Sequence, residues 1–162
     1  MPVIHYIALL LLLSVFTHFK AQANTTVEKE LAEFWQQAEQ TVTQGDFVGY
    51  SATFHENAVL VSDIAKTSYP IDKALTRWKK GFDDTKAGKM KAGVSFKFTQ
   101  SLVSDNTAHQ TGYFYYYSID SQGQKSPFIA HFEALLMKSN GKWQIMMERH
   151  IKQVDLQAWR SL

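Results

Sequence analysis

The 162-residue chain has no cysteine. That removes disulfides, thiolate nucleophiles and thiolate metal sites from its chemistry. Proline occurs only three times, and no repeat, low-complexity tract or linker follows residue 24. Charge of one sign is also missing: 17 Lys+Arg against 15 Asp+Glu give a net charge of +2. Such a balance offers nothing to a nucleic-acid polyanion. Four histidines follow the N-terminal stretch, His55, His109, His131 and His150, with no HxH or HxxxH spacing among them. A metal site wants three convergent ligands, so no metal is expected.

The one long apolar run, Val3 to Phe16, has fourteen residues. A membrane-spanning helix needs roughly 20. "AQA" (Ala21 to Ala23) then supplies the small-x-small pattern of a signal peptidase site. Residues 1–23 read as a cleaved secretory signal, although His5 rather than Lys or Arg precedes the run. An uncleaved anchor is the alternative. The expected product is one exported domain, periplasmic or secreted, over residues 24–162, with no stable membrane insertion after cleavage. Without disulfides its core must hold it, and 45% apolar with 14% aromatic residues supply one.

The pattern along that domain changes once, from helical to strand-like. Val27, Leu31, Phe34, Ala38 and Val42 recur at helical spacing, with Thr25 or Thr26 to cap the helix and Gly45 to end it. "DFVGYSATFHEN" reads as a second short helix capped by Asp46, with His55 and Glu56 at its solvated end. "AVLVSD" and "IAKTSYP" form a strand and its return. "IDKALTRWKKGFDD" is a third helix with Ile71, Leu75, Trp78 and Phe82 on one stripe. Gly88 and Gly93 bracket a basic loop, and four long strands follow, joined by "DN", "SQGQ" and "SNG" turns. The expected fold class is α+β: a curved antiparallel mixed sheet wrapped around three N-terminal helices, a cone with an internal pocket.

This order, with "TQGDFVGYSATFHENAVLV" (43–61), "SIDSQGQ" (118–124) and "SNGKWQIMMERH" (139–150), resembles the nuclear transport factor 2-like, or cystatin-like α+β cone, superfamily over residues 26–153. The last two strands look most like SnoaL-like domains and the association domain of calcium/calmodulin-dependent protein kinase II. The superfamily mixes enzymes with binding and assembly modules, so fold does not settle function. Ketosteroid isomerase-like chemistry needs a carboxylate base facing a Tyr and a protonated Asp. At the matching positions stand Ala38, Ser62 with Asp63 one residue later, and Ala130. Steroid isomerase activity is therefore not implied. Nor is the arginine-lined pocket of the kinase association domain, whose positions hold Phe114, Ala134 and His150.

The resemblance also sets the strand faces. If Phe114, Ala130, Ala134 and His150 face the cone, so do their alternate neighbours. The inner set is then Phe114, Tyr116, Ser118, Phe128, Phe132, Met146, Glu148 and His150, with Phe96 and Phe98 from the strand before. The outer set is Tyr113, Tyr115, Tyr117, His131, Glu133, Leu135, Trp143, Ile145, Met147 and Arg149. That face is too apolar to be left to water, which implies a homodimer with a self-complementary contact.

The expected function is binding of a small apolar or aromatic ligand, without a cofactor. Phe96, Phe114, Tyr116, Phe132, Met146, Glu148 and His150 form the site, and Trp78 either roofs it or belongs to the core. Tyr50, on the second helix, either reaches the cavity or belongs to the core, with core the preferred role. The alternative is an isomerase, dehydratase or cyclase acting on a carbonyl compound. Glu148 and His150 would then be an acid–base pair and Tyr116 a hydrogen-bond donor. A structural pairing, for instance of Glu148 with Arg77, is the competing account of those groups. A third reading is a ligand-free assembly module.

Overall fold

A six-stranded sheet runs in the order Thr67–Pro70, Phe54–Ser62, Lys142–Gln153, Lys125–Ser139, Thr107–Ile119, Lys91–Val103. The structure, a computed structural model, describes residues 26–162. The secretory-signal reading of residues 1–23 lies outside them. Helix α1 occupies residues 26–44, α2 Phe47–Ser51, β1 Phe54–Ser62, β2 Thr67–Pro70 and α3 Ile71–Lys86. The meander β3 (Lys91–Val103), β4 (Thr107–Ile119), β5 (Lys125–Ser139) and β6 (Lys142–Gln153) follows, and α4 (Leu156–Arg160) ends the chain. Strand β6 returns beside β1 in the parallel sense; every other pairing is antiparallel. The expected α+β class and the mixed, curved sheet are both present, and the sheet is not closed. Among the described residues no helix is long and apolar enough to cross a membrane.

Helix α1 lies in the concave face of the sheet. Val27, Leu31, Trp35, Ala38 and Val42 are its buried stripe. Trp35, not Phe34, points inward, because spacings of four then three residues keep one face of a 3.6-residue turn. Its ring packs on Phe96, Phe98 and Phe132, and its Nε1–H donates to the buried Gln110 Oε1 at 2.6 Å. Gly45 ends α1 at φ +66°, and a β-carbon there would come within 2.4 Å of the Lys86 backbone nitrogen. Only glycine lets the α1–α2 corner rest on the end of α3.

Two expectations about local structure fail here. The second helix stops after five residues, because Thr53 C=O accepts from Ile145 N–H and the chain joins the sheet. His55 and Glu56 therefore lie in β1, not at a helix end. The basic loop is also shorter than read: Lys79–Asp83 and Lys80–Asp84 pairs extend α3 through Lys86, and Gly93 sits buried inside β3.

Irregular register bends the sheet. Leu135 pairs with Met147 but Leu136 with Ile145, so Met146 is an extra residue in β6. Below that bulge the faces exchange. Trp143 and Ile145, expected outside, are 7% and 2% exposed in the core, while Glu148 and His150 still face inward.

At the far end, Glu30 of α1 ties the β5–β6 hairpin down. It accepts from Lys138 Nζ at 2.6 and 2.8 Å and from Trp143 Nε1 at 2.8 Å. Those donors, Lys138 first, hold its carboxyl below the usual carboxylate range. A depressed folded value contributes stability above the unfolded value and loses it as pH falls through the folded one. Glu30→Gln should therefore cost about 1 kcal/mol by urea unfolding at about pH 7, allowing for its partial exposure, and close to nothing at about pH 2. An equal deficit at both pH values would mean that packing, not charge, explains the contact.

Candidate functional site

Between α3 and the concave face, the cone encloses a cavity of about 340 Å³. Helix α3 contributes Arg77, Trp78, Gly81, Phe82 and Thr85; α1 and α2 contribute Val42 and Tyr50. The sheet contributes Ala92, Val94 and Phe96 from β3, Phe114 and Tyr116 from β4, Phe128 from β5, and Glu148 and His150 from β6. The wall is mostly apolar and aromatic, with a few convergent polar groups, as small-molecule sites are.

Alternation brings the β6 groups together. Glu148 and His150 are two residues apart on one strand and point the same way. Glu148 Oε1 lies 2.6 Å from His150 Nε2, with the two side chains 10% and 13% exposed. The His150 ring also meets Phe114, at 5.1 Å between centroids. Tyr116 approaches from β4. Burial raises its phenol above the ordinary value, and a hydrogen bond with Ser118 opposes that.

Tyr50 joins them from α2. Its ring packs on Phe54, Trp78 and Phe82. Burial first, then the nearby Glu148 and Tyr116, push its phenol well above the ordinary value. Its hydroxyl makes no hydrogen bond within the described residues, and none of their buried polar side-chain atoms lacks a partner. The oxygen therefore opens into the cavity that the ring lines. Tyr50 is thus cavity wall and not only core. Trp78 has both roles, on the cavity and packed against the buried core.

Of the residues read as ligand-binding, the structure gathers Trp78, Phe96, Phe114, Tyr116, Glu148 and His150 around one space. It leaves out two. Phe132 is fully buried under Trp35, Phe96, Phe98 and Phe114, and so is core floor instead of wall. Met146, the bulge residue, does not line the cavity. Asp63 is no substitute base: the β1–β6 register is continuous from Leu60 to Ser62, and Asp63 accepts from Arg149 Nη2 at 2.7 Å. Arg77 does not pair with Glu148; its partner is Tyr69, by a hydrogen bond and a guanidinium stack at 4.8 Å.

The outer face is partly self-covered. Trp159 of α4 stacks on Tyr115 at 5.7 Å, Lys97 Nζ donates to the Trp159 carbonyl, and Lys125 lies over Tyr117. Tyr115 and Tyr117, expected to await a second subunit, already have neighbours in their own chain. The rest of that face carries Tyr113 stacked on His131 at 4.8 Å, the exposed Leu135 and Met137, and an Asp63–Arg149–Glu133 ion network.

No family model and no curated protein matches the chain in sequence. Solved structures do match in shape. An NTF-2 like protein of unknown function from Shewanella oneidensis MR-1 aligns at 17% identity over 75% of this chain and 96% of its own, with TM-score 0.57. This is a nuclear transport factor 2-like fold. ActVI-ORFA from Streptomyces coelicolor shares the nuclear transport factor 2-like cone at 17% identity, over 79% of this chain and 97% of its own (TM-score 0.60). A putative calcium/calmodulin dependent protein kinase II association domain from Xanthomonas campestris does so at 16%, over 77% and 88% (TM-score 0.57). At these identities the likeness concerns the nuclear transport factor 2-like fold; the cavity's chemistry rests on this chain's own residues.

Proposed function

We propose that the chain is an exported SnoaL-like module that binds a small apolar or aromatic molecule in its cone and dimerises through the uncovered part of the outer sheet face. The carrying observation is the 340 Å³ aromatic cavity with Tyr50, Tyr116, Glu148 and His150 converging on it. A filled cone would have left assembly as the remaining role. The test uses 2-naphthol, titrated against the purified chain by tryptophan fluorescence. Trp78, the cavity's own tryptophan, should be quenched with a micromolar dissociation constant, and Val94→Trp should fill the space and weaken binding by at least about tenfold. Saturation that survives in Val94→Trp would place binding elsewhere. Sedimentation velocity at micromolar concentration should give a dimer. The intact mass of the exported protein should correspond to a start at Asn24.

The 2.6 Å Glu148–His150 contact favours a second reading, an isomerase, dehydratase or cyclase. His150, oriented by Glu148, would take a proton from the carbon beside a carbonyl and return it, while a tyrosine hydroxyl stabilises the enolate oxygen. With 2-tetralone in deuterium oxide, the parent should exchange the α-protons for deuterium and His150→Ala should not. Equal exchange in both would eliminate the acid–base assignment.

A further inference from the structure

We propose that the occupant of the cone is an organic acid, its apolar body inside and its carboxylate at the α3 side of the cavity against Arg77. This rests on the small-molecule reading above and adds the ligand's charge and orientation.

Helix α3 carries five cations, Lys73, Arg77, Lys79, Lys80 and Lys86, and of these Arg77 lines the cavity. Lys79 and Lys80 reach the carboxylates of Asp83 and Asp84 one turn on. Arg77 faces the cavity, and among the described residues no carboxylate lies within ion-pair reach of it. Its hydrogen bond is to the Tyr69 hydroxyl, on whose ring it also stacks. A guanidinium has five donors in a planar fork shaped for a carboxylate. Tyr69 braces the group and leaves most of that fork unused.

The next turn of α3 explains how a ligand reaches it. Gly81 follows Arg77 by four residues, and Thr85 follows by four more, so the three lie on one helical face, and all three line the cavity. Glycine is the least favourable non-proline residue inside a helix. No backbone requirement explains it here: Gly81 lacks a left-handed φ, and an added β-carbon would meet nothing within 4 Å. The glycine leaves open space along the wall between Arg77 and Thr85. The Thr85 hydroxyl is already donated to the Gly81 carbonyl at 2.8 Å, so Arg77, bonded to Tyr69 alone among the described residues, is the group on this stripe with donors to spare.

Electrostatics then orient the ligand. Glu148, 7% exposed, would repel a second carboxylate beside it, whereas Arg77 attracts one. The apolar body is left to Phe96, Phe114 and Phe128.

The experiment compares 2-naphthoate with 2-naphthamide, which share a ring system and a planar head group but differ in charge. Isothermal titration of the full chain at low ionic strength should show the carboxylate binding about tenfold more tightly. Added salt should shrink the difference. Arg77→Gln should bring the ratio to about one, and Arg77→Lys should retain part of it. Lys142→Gln, on the separate groove between α1 and the β5–β6 turn, should leave the ratio intact. Equal affinity of the two probes in the parent overturns the carboxylate assignment while leaving small-molecule binding standing. A ratio that persists in Arg77→Gln overturns it as well. Failure of both probes to bind while 2-naphthol binds overturns this inference alone; failure of all three removes the small-molecule reading with it.

Discussion

Phe132→Ala should destabilise the domain by about 3–5 kcal/mol, a large part of the total for a domain of this size. Phe132 is fully buried and its ring meets Trp35, Phe96, Phe98 and Phe114 at centroid distances of 5.5 to 6.0 Å. The site cannot collapse easily. Trp35 is held by its bond to Gln110, which is anchored in turn on Ser101, and the β4–β5 pairing beside Phe132 runs without a register shift. A void there keeps its full cost, since the lost contacts have no replacement. Phe128→Ala is the comparison. Phe128 sits on the cavity wall, half-buried, beside space that is already empty, so its loss should cost about 1–2 kcal/mol. The ordering, read from urea midpoints, decides between floor and wall. If Phe128→Ala proved the costlier change, the division of the aromatic cluster into core and binding surface would be wrong.

That division shows what was legible in the sequence. The family resemblance set Phe114 and His150 inward, and alternation carried Tyr116 and Glu148 with them and separated them from Tyr113, because a strand's period of two is a local property. The helices and four long strands were legible for the same reason. Trp143, Ile145 and Met146 were misplaced by a bulge whose cause is the fit between β5 and β6, which neither strand displays alone. The second helix was overextended because its end is set by Ile145, ninety-odd residues away, capturing the Thr53 carbonyl. For Tyr50 the sequence leaves core and cavity open and leans to core; what decides it is empty space at the hydroxyl, and space leaves no mark in composition. Gly81 did leave one. A glycine inside an otherwise strong helix signals a backbone or packing requirement, and here the signal was present in "KKGF" without being used.

The Glu148–His150 pair tests whether this cavity exists for function. His150→Phe should cost about 2–4 kcal/mol, because it strands the Glu148 carboxyl in an aromatic wall where it has lost its hydrogen-bond partner. The double variant, Glu148→Met with His150→Phe, removes the stranded group as well. Buried polar pairs replaced by apolar residues of similar volume are often neutral or more stable. The double variant should therefore recover to the parent's urea midpoint or exceed it, while 2-naphthol affinity falls and any exchange of 2-tetralone protons disappears. Such a result means that packing alone would favour apolar residues at both positions, so the pair persists for what it does to a ligand. A double variant as unstable as His150→Phe would point the other way: the two groups would be structural, and the convergence of polar side chains on the cone would lose its most informative members.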